Sequence, residues 1–218
     1  MKKEKNIKII LTGAVLFALF IIWTVLVKFV NVQAIGPNGS EVGFAAINGF
    51  VHKLTGVNMA LYNITDWLGL VPIFFAAGFG LLGFIQLIKR KSLLKVDGDI
   101  LALGVFYIAV IALFLFFEVC IINYRPVLIE GVMEASYPSS TTLLVTCVMP
   151  TAAMQLQRRI KSLKLHRVIV CAIYSFVAFM VIARLISGVH WLTDIIGGLI
   201  LSTGIVMIYY GAISMMKK

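Results

Sequence analysis

Long runs without charge dominate this chain and leave few folds open to it. Six apolar stretches recur along the 218 residues, near 9–29, 67–88, 100–122, 139–156, 168–186 and 191–215. Each approaches or exceeds the roughly 20 residues of helix that a bilayer's hydrocarbon core demands. Inside lipid a spanning segment must satisfy its own backbone polar groups, which makes such a run helical. A transmembrane barrel would show short segments alternating apolar with polar residues, and these runs do not alternate. Composition agrees: 61% of residues are hydrophobic and 13% charged, about half the charged share of an ordinary soluble domain. The expected class is an all-α polytopic membrane protein with six transmembrane helices, forming one domain over residues 1–218.

The net charge is +10. In a soluble protein that excess would suggest a nucleic-acid partner. Here the cations cluster beside apolar runs, so no nucleic acid is expected. The clusters are "KKEK" at the start, "KRKSLLK" from Lys89 to Lys95, "RRIKSLKLHR" from Arg158 to Arg167, and Lys217 with Lys218. With six spans, all four clusters fall on one side. The positive-inside rule makes that side cytoplasmic. Both termini are then expected in the cytoplasm of a cell whose plasma (inner) membrane holds the protein. The first run is too long for a signal-peptide core of about 7–15 residues, so it reads as a retained helix. Cys120, Cys147 and Cys171 lack metal-ligand spacing and read as small buried hydrophobes. Three segments remain for the outer side: 30–66, 123–138 and 187–190. The first mixes apolar and polar residues at helical spacing, as an amphipathic helix in the interface would.

The informative polar residues gather on that outer side. "ARLISGVHWLTD", residues 183–194, sets Arg184, His190 and Asp194 between two apolar runs. Arg125 follows the third span, and "YPSSTT", residues 137–142, opens the fourth. Two guanidiniums on the side where arginine is disfavoured suit a phosphate, because each offers planar, paired donors. Ser139 and Ser140 at a helix start add hydroxyls and free backbone N–H groups, a setting that favours anions. His190 and Asp194 are four apart and share a helix face if the last helix begins near His190. The carboxylate would then hold one ring nitrogen and leave the other as nucleophile or base. Gly188 leaves room for a substrate. Together these residues describe phosphoryl transfer through a phospho-histidine, with the equatorial oxygens held by arginine and N–H donors. Carboxylates are too few and scattered for a two-metal site, so no metal or other cofactor is expected.

These residues resemble the type 2 phosphatidic acid phosphatase superfamily. Its three motifs are K-x6-R-P, P-S-G-H and S-R-x5-H-x3-D. The third matches at Arg184, His190 and Asp194, with Ala183 in place of the leading serine. The first matches at Arg125–Pro126 and the second at Pro138–Ser139. The resemblance implies a six-helix lipid phosphatase. His190 would be its nucleophile and Asp194 its orienter, with Arg125, Ser139 and Arg184 as phosphate ligands. The substrate would be phosphatidic acid, phosphatidylglycerol phosphate or a polyprenyl pyrophosphate. Two departures bear directly on the chemistry. Glu118 stands where the family has lysine, and Thr141 where it has the histidine that protonates the leaving alkoxide. Losing such a proton donor costs about 10²–10⁴-fold. Three outcomes follow. A substrate with a good leaving group would need less acid help. Another residue, among His52, Tyr124, Tyr137 and Glu134, could supply the proton. Or the chain binds or transports a phospholipid, or passes phosphate to an acceptor other than water. The small residues of "GGLILSTG", Gly197 to Gly204, fit internal packing and oligomerisation equally well.

Overall fold

The computed structural model describes residues 2–216; Lys217 and Lys218 of the last basic cluster lie outside the described residues. Among the described residues eight α-helices follow one another: α1 (Lys2–Phe29), α2 (Ala45–Thr55), α3 (Met59–Leu68), α4 (Leu70–Arg90), α5 (Gly98–Val119), α6 (Ser140–Arg159), α7 (Leu163–Ile186) and α8 (Leu192–Met215). Among the described residues extended backbone pairs only in isolated bridges, Gln33 with Val42, Tyr124 with Ala135 and Ile129 with Val132. The fold is all-helical, and the protein crosses the membrane several times.

Among the described residues five segments are long and apolar enough to span: Lys3–Phe29, Met59–Arg90, Gly98–Val119, Leu163–Ile186 and Leu192–Met215. The second begins earlier than the sequence suggests. α3 runs into α4 with only Gly69 between them, giving 32 residues in all. The expected fourth span is α6, and it differs in kind. It packs against α4, α5, α7 and α8 and buries Thr142, Thr146, Thr151 and Gln155 among its core residues. A helix shielded from lipid needs no apolar surface, and its hydroxyls bond back to its own turns: Thr151 Oγ1 donates to the Cys147 carbonyl at 2.9 Å.

α1 and α8 lie backbone against backbone. A Cβ added to Gly13 would sit 2.6 Å from the Gly204 carbonyl, and one on Gly211 would sit 3.1 Å from the Asn6 carbonyl. Gly197 packs on the Tyr137 ring and Gly198 on Thr142. The small residues of α8 are therefore spent inside the molecule. Two of the three cysteines correct the sequence reading. Cys147 is buried, whereas Cys120 and Cys171 are exposed, in a molecule whose apolar outer surface is the membrane face.

Residues 30–66 form two short helices rather than one. α2 ends at Gly56, whose φ of 62° stops the helix, and Asn58 caps α3 by accepting from Leu61 N at 2.9 Å. At the basic end of the bundle, Asp99 pairs with Arg158 at 3.2 Å and Arg159 at 3.3 Å. Arg90 pairs with Asp97 at 2.7 Å and holds its carboxyl below the usual range. Part of the cationic cluster is thus tied to α5. The opposite end collects the C-termini of α5 and α7, the N-termini of α6 and α8, and α3.

Candidate active site

Two loops and three helix ends build the site. The loop after α5 folds back on itself: Arg125 N donates to the Glu134 carbonyl at 3.0 Å and Ser136 N to the Asn123 carbonyl at 2.9 Å. This ribbon fixes Arg125 and Ser136 side by side. The α7–α8 joint, residues 187–191, carries His190. Gly188 there has φ of 69° and lies against the Gly56 carbonyl, so only a residue without Cβ fits the turn. Ser187 O accepts from Asn58 N at 3.0 Å, which ties the joint to the α2–α3 corner.

His190 is buried at 3% exposure. It precedes α8 rather than opening it, since the helix starts at Leu192. Asp194 Oδ2 is 3.7 Å from Nδ1, too far for the direct hydrogen bond that the i, i+4 spacing suggests. Ser136 stands between them. Its Oγ lies 3.1 Å from His190 Nδ1 and donates to Asp194 Oδ2. Asp194 also accepts from Trp191 N at 2.9 Å and from Asn123 Nδ2 at 3.3 Å. Three donors meet one buried carboxylate and fix its orientation.

On the far side of the ring, Arg125 Nη1 sits 3.3 Å from His190 Nε2. Arg125 Nε is 2.9 Å from Glu134 Oε2, an ion pair without a directed hydrogen bond. Arg184, 1% exposed, donates from Nη1 to Thr65 Oγ1 at 3.0 Å and lies 3.6 Å from Asp66 Oδ1. Both guanidiniums approach the Tyr62 ring, at 5.8 Å for Arg125 and 4.7 Å for Arg184. Neither arginine snorkels to the headgroups, because both are buried. Burial, followed by the charges of Arg125 and Arg184, holds the His190 imidazole well below its ordinary pKa. A neutral ring keeps a lone pair for attack.

Ser139 is wholly buried and caps α6, accepting from Thr142 N at 3.4 Å, while its own N–H donates to the Asp194 carbonyl at 3.1 Å. The hydroxyl is spent on the helix start, and the residue anchors α6 to α8. Ser140 and Glu118 line a narrow cleft with Ser136, Phe117 and Tyr137. Glu118 is exposed and has no ion pair among the described residues. Thr141 is half-buried on the first turn of α6. Of the other proton-donor candidates, Glu134 is held by Arg125, and Tyr137 is bonded to Thr24 Oγ1 at 2.7 Å with burial raising its phenol. His52 lies edge-on to Trp191 at 5.4 Å, its pKa lowered by burial, and the Tyr124 carbonyl accepts from Trp191 Nε1 at 2.8 Å. Among the described residues no three His, Cys, Asp or Glu side chains form a metal-ligand group.

Sequence reasoning missed Ser136, Asn123, Tyr62, Thr65 and Asp66. Nothing in a lone serine or asparagine of a polar loop marks it. Tyr62, Thr65 and Asp66 belong to an amphipathic stretch whose polar face gave no hint of a partner on α7.

A family model for the PAP2 superfamily matches residues 71–217. Among solved structures, the crystal structure of the first transmembrane PAP2 type phosphatidylglycerolphosphate phosphatase from Bacillus subtilis superposes with a TM-score of 0.66 at 20% identity, over 94% of this chain and 98% of that one. No curated protein matches by sequence. Tyr62, Thr65 and Asp66 fall before the matched region, whereas the loop, the arginines and the His190–Asp194 segment fall within it. With two thirds of its length matched and the same helical architecture, this chain is a member of the PAP2 superfamily.

Proposed function

We propose that the protein is an integral-membrane lipid phosphate phosphatase, working through a phospho-histidine at His190 and preferring lipids with a good leaving group. One observation carries the reading. A buried imidazole presents Nε2 at 3.3 Å from the Arg125 guanidinium, while Arg184 flanks the same Tyr62 ring. A phosphate entering there would draw Arg125 from Nε2 onto its own oxygens. Nε2 then attacks phosphorus as the P–O bond to the lipid breaks, and Nδ1 keeps its proton. The charge that gathers on the equatorial oxygens meets both guanidinium cations. Water next attacks phosphorus, the N–P bond breaks, and inorganic phosphate leaves with the neutral ring restored.

Leaving-group protonation is the step with least support from the residues. Thr141 hardly ionises, and Glu134 and Tyr137 are engaged elsewhere. A pyrophosphate lipid departs as phosphate and needs little acid help, which favours that substrate class over simple monoesters. The basic clusters support a cytoplasmic end opposite the site, so substrate would come from the outer leaflet of the plasma membrane.

Purified protein given phosphatidic acid, phosphatidylglycerol phosphate and a polyprenyl pyrophosphate should release inorganic phosphate, fastest from the last. His190→Ala should abolish release, and full turnover by that variant would refute the assignment. A second reading, a phosphatase-like lipid binder or transporter, draws on Glu118 and Thr141. Tight lipid-phosphate binding with no turnover and no phospho-histidine would favour it.

A further inference from the structure

We propose that Ser136 is the positioning residue of this site, its hydroxyl standing between Asp194 and His190 Nδ1 so that the imidazole is held with Nε2 as the free lone pair. The inference rests on the reading of His190 as nucleophile and goes beyond it. In that reading a carboxylate orients the ring directly; here the two groups are 3.7 Å apart and the serine fills the gap.

Hydrogen-bond bookkeeping settles the directions. A serine hydroxyl has one proton. Ser136 gives it to Asp194 Oδ2, so toward His190 it can only accept. Nδ1 must then carry the ring proton. The other nitrogen gives the same answer independently. A guanidinium has donors and no acceptor, so Arg125 Nη1, 3.3 Å from Nε2, can only donate to it. Both neighbours select the tautomer with Nδ1–H and a lone pair on Nε2. A second proton on Nε2 would point at an N–H of Arg125.

One ribbon holds both partners. Ser136 N donates to Asn123 O, Arg125 N donates to Glu134 O, and Tyr124 bridges Ala135. The ring is gripped at Nδ1 and Nε2 by side chains of the same short turn. Asn123 Nδ2 and Trp191 N complete the Asp194 carboxylate, leaving it no other use in the site. When Nε2 takes phosphorus, the ring becomes an N-phospho-imidazolium that keeps its Nδ1 proton. Ser136 and Asp194 accept that added positive charge along the chain without a proton changing hands. The charged groups facing the ring are Arg125 from the ribbon, Arg184 from α7 and Asp194 from α8, with Glu134 on Arg125 and Asp66 on Arg184 beyond them.

The test compares Ser136→Ala, Ser136→Thr, Asp194→Asn, Ser136→Ala/Asp194→Asn and His190→Ala on a polyprenyl pyrophosphate, with melting temperature alongside. Ser136→Ala, which removes a hydrogen bond to a charged group, should lower kcat about 10–10²-fold with KM nearly unchanged, and Ser136→Thr, which keeps the hydroxyl, should recover most of it. The double variant should be no slower than Asp194→Asn, because the serine acts through the carboxylate. Multiplying losses, or wild-type kcat in Ser136→Ala while His190→Ala is dead, would overturn the proposal and leave the phosphatase reading standing. Turnover by His190→Ala would remove both. Should Ser136→Ala fail to fold, the wild-type protein still decides. Nitrogen-15 spectra of its histidines should show His190 as the Nδ1–H tautomer, and an Nε2–H tautomer overturns the proposal.

Discussion

Replacing Arg125 by glutamine should make His190 easier to protonate, and the structure sets the scale. Arg125 Nη1 is 3.3 Å from Nε2. Taking the charge centres of a guanidinium and an imidazolium as about 5 Å apart and the effective dielectric as about 20, their repulsion is about 3 kcal/mol. That is a ceiling of about 10²-fold in proton affinity, because side chains and water relax. The sign is fixed: removing a cation favours the charged ring, so its pKa rises toward the ordinary histidine value. Burial and Arg184 persist in the variant and hold part of the depression. Attack needs the neutral ring, so the acid limb of kcat/KM should move to higher pH in Arg125→Gln. A second effect is independent of pH. Losing a charge-assisted hydrogen bond to phosphate costs about 1.5–3 kcal/mol, or about 10–10²-fold in kcat/KM. Arg125→Lys separates the two, since it keeps the cation and loses the planar fork. Its acid limb should stay near wild type while its KM rises. The assay is phosphate release across pH, with nitrogen-15 titration of His190. An acid limb in Arg125→Gln that stays put or moves to lower pH would refute the electrostatic account.

Further outcomes follow from the same geometry. Thr141→His should raise turnover of phosphatidic acid at least tenfold if proton donation is what the site lacks, and an unchanged rate would place the deficit elsewhere. Gly188→Ala meets both a φ of 69° and the Gly56 carbonyl, so melting temperature should drop by the equivalent of about 1–3 kcal/mol and turnover with it. His190 has a lower pKa folded than unfolded. The unfolded state therefore binds the extra proton, and stability falls as pH drops through the unfolded value near 6.5. His190→Gln should flatten that part of the stability profile, as thermal melts in detergent across pH would show.

Arg125, Arg184, His190 and Asp194 could be read from the sequence because ionisable residues are costly in an apolar chain and stand out at span ends. Their convergence follows from helix count and connectivity, which the apolar runs also reveal. α6 was less legible. Its centrality depends on neighbours that shield Thr151 and Gln155 from lipid, a fact of packing and not of hydropathy. The serine between His190 and Asp194 was invisible for a different reason: spacing of four puts two residues on one face only within a helix, and His190 lies just outside α8. The division of residues 30–66 at Gly56, and the Tyr62–Thr65–Asp66 support of Arg184, rest on contacts between segments more than 100 residues apart.

The first helix carries none of the candidate site residues, yet it reaches their end of the bundle. Trp23 Nε1 donates to the Thr193 carbonyl at 3.3 Å, the Thr24 and Tyr137 hydroxyls are hydrogen-bonded at 2.7 Å, and Gly13 and Gly204 let the two backbones touch. It behaves as a splint strapped along the helix that bears Asp194. Swapping it for a generic membrane anchor of equal length would preserve insertion but let Asp194 and the joint before it drift out of alignment with Arg125.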